Sequence, residues 1–300
     1  MLRDFADLKD RVQGASTRKV IALACAADEA SLEALRDAES ELGADYLLIG
    51  NAEDILRMSQ KVNFDIAGKK IIQADSEAAA AEIAVEIVRQ GRADILMKGK
   101  MQTAALLRAI IDKEKGIRTG GLMSHVAVIE SPFYHKLMYI TDGGMVTNPD
   151  AGQKKSILFN CVDFLRRVGY GKPKVAVLAA VETINEKMRE TVDAGQLAAQ
   201  NAAGSITNCI VEGPLSFDLA ISAEAAKTKG FADRSSVAGD ADIFLVPDIA
   251  AGNIMAKALI YLGGAKMAGC ILGAAAPIII VSRGASAEEK MLSILLTMAV

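Results

Sequence analysis

The chain is 300 residues long, 51% of them hydrophobic, with 34 basic against 37 acidic side chains and a net charge of -3. That length suits one large domain or two ordinary ones, with enough apolar residues for a sizeable core. The near-balanced charge excludes a general electrostatic pull toward nucleic acid or anionic lipid, so an anionic ligand must be met by a local site.

Short aliphatic runs alternate with longer amphipathic ones. Residues 19–24 read as a strand, 30–42 as a helix, 46–50 as a strand ended by Gly50, 70–72 as a third strand, 76–89 as a helix and 93–97 as a fourth strand. This alternation predicts βαβ units and a mostly parallel sheet buried on both faces. Residues 125–129 and 136–141 read as two further strands, separated only by a short link containing Ser131 and Pro132. They are expected to pair antiparallel, because a parallel pair needs a long crossover. After Pro149 the spacing predicts a helix over 155–168, a strand over 175–178, a helix over 186–200 and strands over 209–211 and 241–246. A helix over 253–262 follows, with Asn253 as its N-cap, then a strand over 278–281 and a helix over 287–299.

The apolar run 268–281 contains Gly273 and Pro277. It is shorter than the roughly 20 residues of a membrane span and reads as two buried elements. The N-terminal Met1–Asp7 lacks the apolar core of a signal peptide, and the four cysteines (Cys25, Cys161, Cys209, Cys270) have neither C-x-x-C nor zinc spacing. Reduced thiols and a cytoplasmic location are expected, with no membrane, nucleic-acid or metal partner.

Several motifs are absent. No G-x-G-x-x-G opens a helix after a strand, no Gly-Lys precedes Ser or Thr, and no G-x-S-x-G elbow occurs. Others are present with two readings each. Lys98-Gly99-Lys100 follows the fourth strand, and Arg108 lies along the next helix; they form either an anion site at a helix start or a solvated set of cations. Ser124-His125 opens a strand and Asp142-Gly143-Gly144 follows one; a structural histidine and a tight turn are the preferred readings. Asp248 either meets a ligand hydroxyl or fixes its loop, and Asn253 shares that loop. Ser282-Arg283-Gly284 follows the last strand, and Ser286 and Glu289 have capping-box spacing. That block is either a helix start or a catalytic group: Arg283 for phosphate, Ser282 for a polar transition state, and Glu288 or Glu289 for a proton.

From about Ala93 to Glu289 the chain resembles the phosphate acyltransferases, phosphate acetyltransferase and phosphate butyryltransferase. The resemblance rests on Ser124-His125-Val126, Asn148-Pro149-Asp150, Leu215-Ser216-Phe217-Asp218, Val237-Ala238-Gly239, Pro247 through Asn253, Leu262 through Ala265 and Ser282 through Ser286. It implies a two-domain α/β fold with mostly parallel sheets, like the isocitrate and isopropylmalate dehydrogenases, with the active site in the cleft between the domains. The expected domains are 1–141, rejoined by the C-terminal helix 286–300, and 142–285. It further implies a homodimer or higher homo-oligomer that moves a short acyl group between coenzyme A and inorganic phosphate, with no tightly bound cofactor and no covalent acyl-enzyme. The family's serine, arginine and acid match Ser282, Arg283 and Glu289, and its helix arginine matches Arg108. Lys98, Lys100, Asp248 and Asn253 are the further substrate-binding candidates. Glu289 where the acetyl branch has Asp, and a shorter 98–103 segment, favour the butyryl branch. Acetyl transfer, a nicotinamide-dependent dehydrogenase of similar fold and a non-catalytic acyl-CoA binder are the alternatives.

Overall fold

A computed structural model of the chain describes residues 1–15, 18–282 and 284–300. They form two units, Ala6–Gly121 with Ala268–Val300 and Met1–Phe5 with Leu122–Met267.

In the first unit, α1 (Phe5–Gln13) leads into β1 (Val20–Ala24), α2 (Glu29–Leu42), β2 (Asp45–Gly50), α3 (Ala52–Lys61), β3 (Ile71–Gln73), α4 (Glu77–Arg89), β4 (Ile95–Lys98) and α5 (Thr103–Ile111). The chain returns to it through β10 (Lys266–Leu272), β11 (Ile278–Ile279) and α11 (Ala287–Met298). The strand order is β3-β2-β1-β4-β11-β10. All neighbours are parallel except β10 and β11, which form an antiparallel pair. Ile21, Leu23, Leu48, Ile95 and Leu96 are wholly buried, as expected of parallel strands covered on both faces.

Side-chain caps start the helices at the C-terminal crest of this sheet. Asp28, Asn51 and Ser76 accept from the backbone N–H groups of Ser31, Asp54 and Ala79, opening α2, α3 and α4. Ser286 does the same for α11 through Glu289.

The second unit holds β5 (Ser124–Glu130), β6 (Met138–Thr141), α6 (Ala151–Arg167), β7 (Lys174–Leu178), α7 (Arg189–Ala202), β8 (Ile210–Leu215), α8 (Phe217–Ile221), α9 (Ala223–Thr228), β9 (Ile243–Leu245) and α10 (Ile249–Tyr261). Its strand order is β5-β6-β9-β7-β8. The β5–β6 pair is antiparallel, as the short link requires, and the rest are parallel.

The divisions fall at Gly121/Leu122 and Met267/Ala268 rather than after residues 141 and 285. Strand pairing is the reason. β6 aligns Tyr139 with Ile243 of β9, which keeps the β5–β6 hairpin in the second unit. β11 aligns Ile278 with Leu96 of β4, which draws the C-terminal hairpin into the first.

The start of α10 corrects the assignment of Asn253 as a cap. Asp248 is the N-cap, accepting from Ala251 N at 2.9 Å, and Asn253 lies inside the helix. The helix begins earlier because its first turn packs on the Asp142 turn: an added Cβ at Gly252 would stand 2.6 Å from Gly143 Cα. Among the described residues no helix is long and apolar enough to cross a membrane.

Candidate active site

The first unit concentrates chemistry at its sheet crest. Past the end of β4, Gly99 N donates to Ala24 O at 2.8 Å and Lys100 N to Cys25 O at 3.0 Å, extending the β1–β4 contact by one turn of chain. Only glycine fits there. A Cβ at Gly99 would lie 2.3 Å from the Cys25 carbonyl oxygen and 2.8 Å from that of Ala24. The close approach holds Lys98 and Lys100 beside the N-terminus of α2.

A cavity of about 490 Å³ opens at this point, walled by Asp28, Glu77, Lys98, Lys100, Ser282 and Lys290 among others. Lys98 is buried, and its Nζ donates to Gly99 O at 3.1 Å and Met101 O at 3.2 Å. Lys290 is buried as well; its Nζ contacts Asp28 Oδ2 and donates to Ser31 Oγ at 2.9 Å. Burial opposes the charge on Asp28, but hydrogen bonds from Lys290 and Ser31 outweigh it and hold the carboxyl below its usual range. Cys25, at the end of β1, responds differently. Burial, reinforced by Glu77 and opposed by Lys98, pushes its thiol up to about 11, so it stays protonated and weakly nucleophilic near neutrality.

The structure therefore gathers Ser282, Lys98 and Lys100 and adds Lys290 and Asp28. Glu289 sits in the first turn of α11, half-buried, with its N–H on Ser286 Oγ at 3.1 Å, whereas Glu288 is exposed. Arg283 lies outside the described residues. Arg108 is not brought to this cavity. On α5 the buried positions are Leu106 and Ile110, and Arg108 faces the opposite side. There it lines a groove of about 1030 Å³ with residues of α4. Asp248 and Asn253 belong to the second unit: Asp248 caps α10, and Asn253 Nδ2 donates to Gly143 O at 3.4 Å.

Lys290 belongs to no motif of the sequence, yet its helical phase carries a signal. Lys290, Ile294 and Thr297 are all buried at helical spacing, so a lysine occupies the core stripe of α11.

In the second unit the Asp142 carboxylate organises the turn after β6. It accepts from Gly144 N and Met145 N at 2.8 Å, Val146 N at 3.2 Å and His125 N at 3.0 Å. The His125 ring packs on Gly144, and its Nδ1 is buried without a hydrogen-bond partner. Burial lowers its pKa against the raising influence of Asp142, which leaves a neutral, packed imidazole. Among the described residues no group of three or more His, Cys, Asp or Glu side chains could hold a metal ion.

Solved structures share this architecture. A branched-chain phosphotransacylase from Enterococcus faecalis superposes with a TM-score of 0.83 at 31% identity, over 94% of this chain and 98% of that one. The 4-hydroxythreonine-4-phosphate dehydrogenase of Klebsiella pneumoniae shares the fold alone, with a TM-score of 0.59 at 14% identity over 95% of this chain and 100% of that one. The architecture is thus the one common to phosphotransacylases and this group of dehydrogenases.

Sequence comparison narrows the class. Phosphate butyryltransferase of Clostridium acetobutylicum is 42% identical over 99% of this chain and 97% of its own length. Phosphate acetyltransferase of Thermotoga maritima is 40% identical over 93% and 94%. Residues 76–298 match the family described as Phosphate acetyl/butaryl transferase, and the chain belongs to that family of acyltransferases.

Proposed function

We propose that the protein transfers a short acyl group, preferably butyryl, reversibly between coenzyme A and inorganic phosphate. The observation that carries this reading is the crest cavity, where Lys98 and Lys100 face the same space as Ser282. A phosphate oxygen attacks the thioester carbonyl carbon. The new C–O bond forms, the C–S bond breaks, and the departing sulfur takes up a proton. The lysines offset the phosphate charge and orient it, converting an encounter into a positioned reaction. Ser282 donates to the developing oxyanion. Arg283, next in sequence, is assigned to phosphate, and Glu289 to proton exchange with the sulfur, whose reference pKa of about 8.5 makes such assistance useful near neutrality. In this scheme Arg108 has no part in the crest cavity, and Asp248 serves its helix.

The enzyme acts as a cytoplasmic homodimer or higher homo-oligomer without a tightly bound cofactor. Supporting self-association, α10 and its end expose Ile254, Tyr261 and Leu262, which share one helical stripe.

Release of free CoA thiol, measured with and without phosphate on butyryl-CoA and acetyl-CoA, tests the proposal. Phosphate-dependent release that is faster with butyryl-CoA is the expected result. Faster release with acetyl-CoA reassigns the acyl preference, and no release with either overturns the activity. A methylene in an apolar pocket discriminates by only about 1–3 kcal/mol, so both substrates are expected to turn over.

A further inference from the structure

We propose that Lys290 is a phosphate-binding residue of this reaction, held in place by Asp28 and Ser31. The inference rests on the acyl-transfer reading and adds to it a residue that the Ser-Arg-acid block does not contain.

Burial is the first argument. Lys290 is 5% exposed, and lysine is almost never that buried without a paired role. Its side chain does not simply fill the core, because it also walls the cavity that Lys98, Lys100 and Ser282 share.

Hydrogen-bond capacity is the second. An ammonium group carries three N–H donors. Asp28 Oδ2 takes one and Ser31 Oγ another, at 2.9 Å. The third remains for the cavity.

The state of Asp28 is the third. A carboxylate that fully cancelled Lys290 would leave little attraction for an anion. Asp28 instead spreads its charge over several donors: Ser31 N at 3.1 Å, the Ser31 hydroxyl and Lys290. It is also the N-cap of α2, where the positive end of the helix dipole faces it. Asp28 therefore orients the ammonium while much of its own charge is met by the helix. Ser31 is wholly buried and makes the same contact from one turn further on.

Lysine acts on phosphate as a point charge, so its position decides its worth. Lys290 is fixed by two partners on α2 and by its place in the first turn of α11, where its N–H donates to Ser286 O at 3.1 Å. It is thereby placed eight positions after Ser282 and on the same cavity wall.

The test is equilibrium dialysis of radiolabelled inorganic phosphate against the full-length protein, alongside steady-state KM values for phosphate and for butyryl-CoA. Lys290→Met is expected to weaken phosphate binding and raise the phosphate KM about tenfold or more, with the butyryl-CoA KM within about twofold; tenfold corresponds to about 1.4 kcal/mol. Lys290→Arg is expected to recover most of the phosphate affinity. Because Lys290→Met leaves Asp28 without its cation, a double variant, Lys290→Met with Asp28→Asn, removes both charges and serves if the single variant does not fold. Phosphate affinity within twofold of the unaltered protein in a folded Met variant overturns the proposal, as does an equal rise in both KM values. Unaltered protein that binds no phosphate overturns it too. Phosphate binding that depends on Lys290, without any CoA release, supports the site and refutes only the acyl-transfer reading.

Discussion

Replacing Lys136 by Met should remove a buried cation and leave a buried anion behind. Lys136, ahead of β6, is 1% exposed, and its Nζ donates to Asp240 O at 2.9 Å. The ammonium stands 2.8 Å from Asp240 Oδ1 and 2.7 Å from Asp242 Oδ1, the latter an ion pair without hydrogen-bond geometry. Asp240 keeps other partners, the Lys174 ammonium at 2.6 Å and His135 Nε2 at 2.8 Å. Asp242 keeps fewer. Its side chain is 7% exposed, and among the described residues only Lys174 N, at 2.8 Å on the other oxygen, would still support it. Methionine nearly matches the lysine stem in volume, so the loss is electrostatic. Breaking a buried pair from one side costs about 3–5 kcal/mol, and the retained N–H bond argues for the lower end, about 3 kcal/mol. At about 2–4 °C per kcal/mol for a domain of this size, the Tm falls by about 6–12 °C. Thermal and urea unfolding, followed by circular dichroism, measure the change. A second substitution, Asp242→Asn, should return more than half of the loss, because the anion goes with its cation. A Lys136→Met protein within about 1 kcal/mol of the unaltered one would refute the reasoning.

Gly99→Ala should damage function beyond its effect on stability. The new Cβ meets two backbone oxygens, which cannot swing aside as a side chain would; about 1–3 kcal/mol of stability is lost, and the shifted lysines lower kcat/KM about tenfold or more. Asp248→Ala should cost about 1 kcal/mol in urea unfolding, whereas Asp248→Asn, an equally good cap, should stay within about 0.5 kcal/mol. Stability should also fall in acid. For both Asp28 and Asp240 burial opposes the charge, but hydrogen bonds, from Lys290 and Ser31 to Asp28 and from Lys136, Lys174 and His135 to Asp240, hold the folded carboxyl below its unfolded value. The unfolded chain then binds more protons, so their stabilisation is complete well above the unfolded pKa of about 3.9 and drains away as pH falls through the depressed values. A urea midpoint that stays constant from pH 7 to about pH 3 would contradict this.

Much of the architecture is readable along the chain. Parallel strands buried on both faces appear as unbroken aliphatic runs, and β1, β2, β4 and β7 stand where such runs predict them. Ser286 acts as a cap, as its capping-box spacing with Glu289 suggests, and Ser76 caps α4 one residue ahead of the helix rather than opening it from inside. Helices α1 and α3 carry weaker signals. α3 fully buries only Ile55 and Ser59, so its apolar signal is thin, although Phe5, Leu8 and Val12 mark one face of α1. Asp248 and Asn253 are both competent caps. The choice between them falls to the Gly143–Gly252 approach, a contact between residues far apart in sequence.

What the sequence by itself determined was the alternation of elements and the antiparallel β5–β6 hairpin, because these depend on local periodicity and on the length of one link. Tertiary structure alone decided which charges share a cavity. Helical phase turns Arg108 away, since Leu106 and Ile110 must face the core, and turns Lys290 inward beside Ile294. Asp28, more than 250 residues earlier, then becomes its partner. A side chain's neighbours follow from which face of each helix the core claims, and that face is settled only when the elements pack.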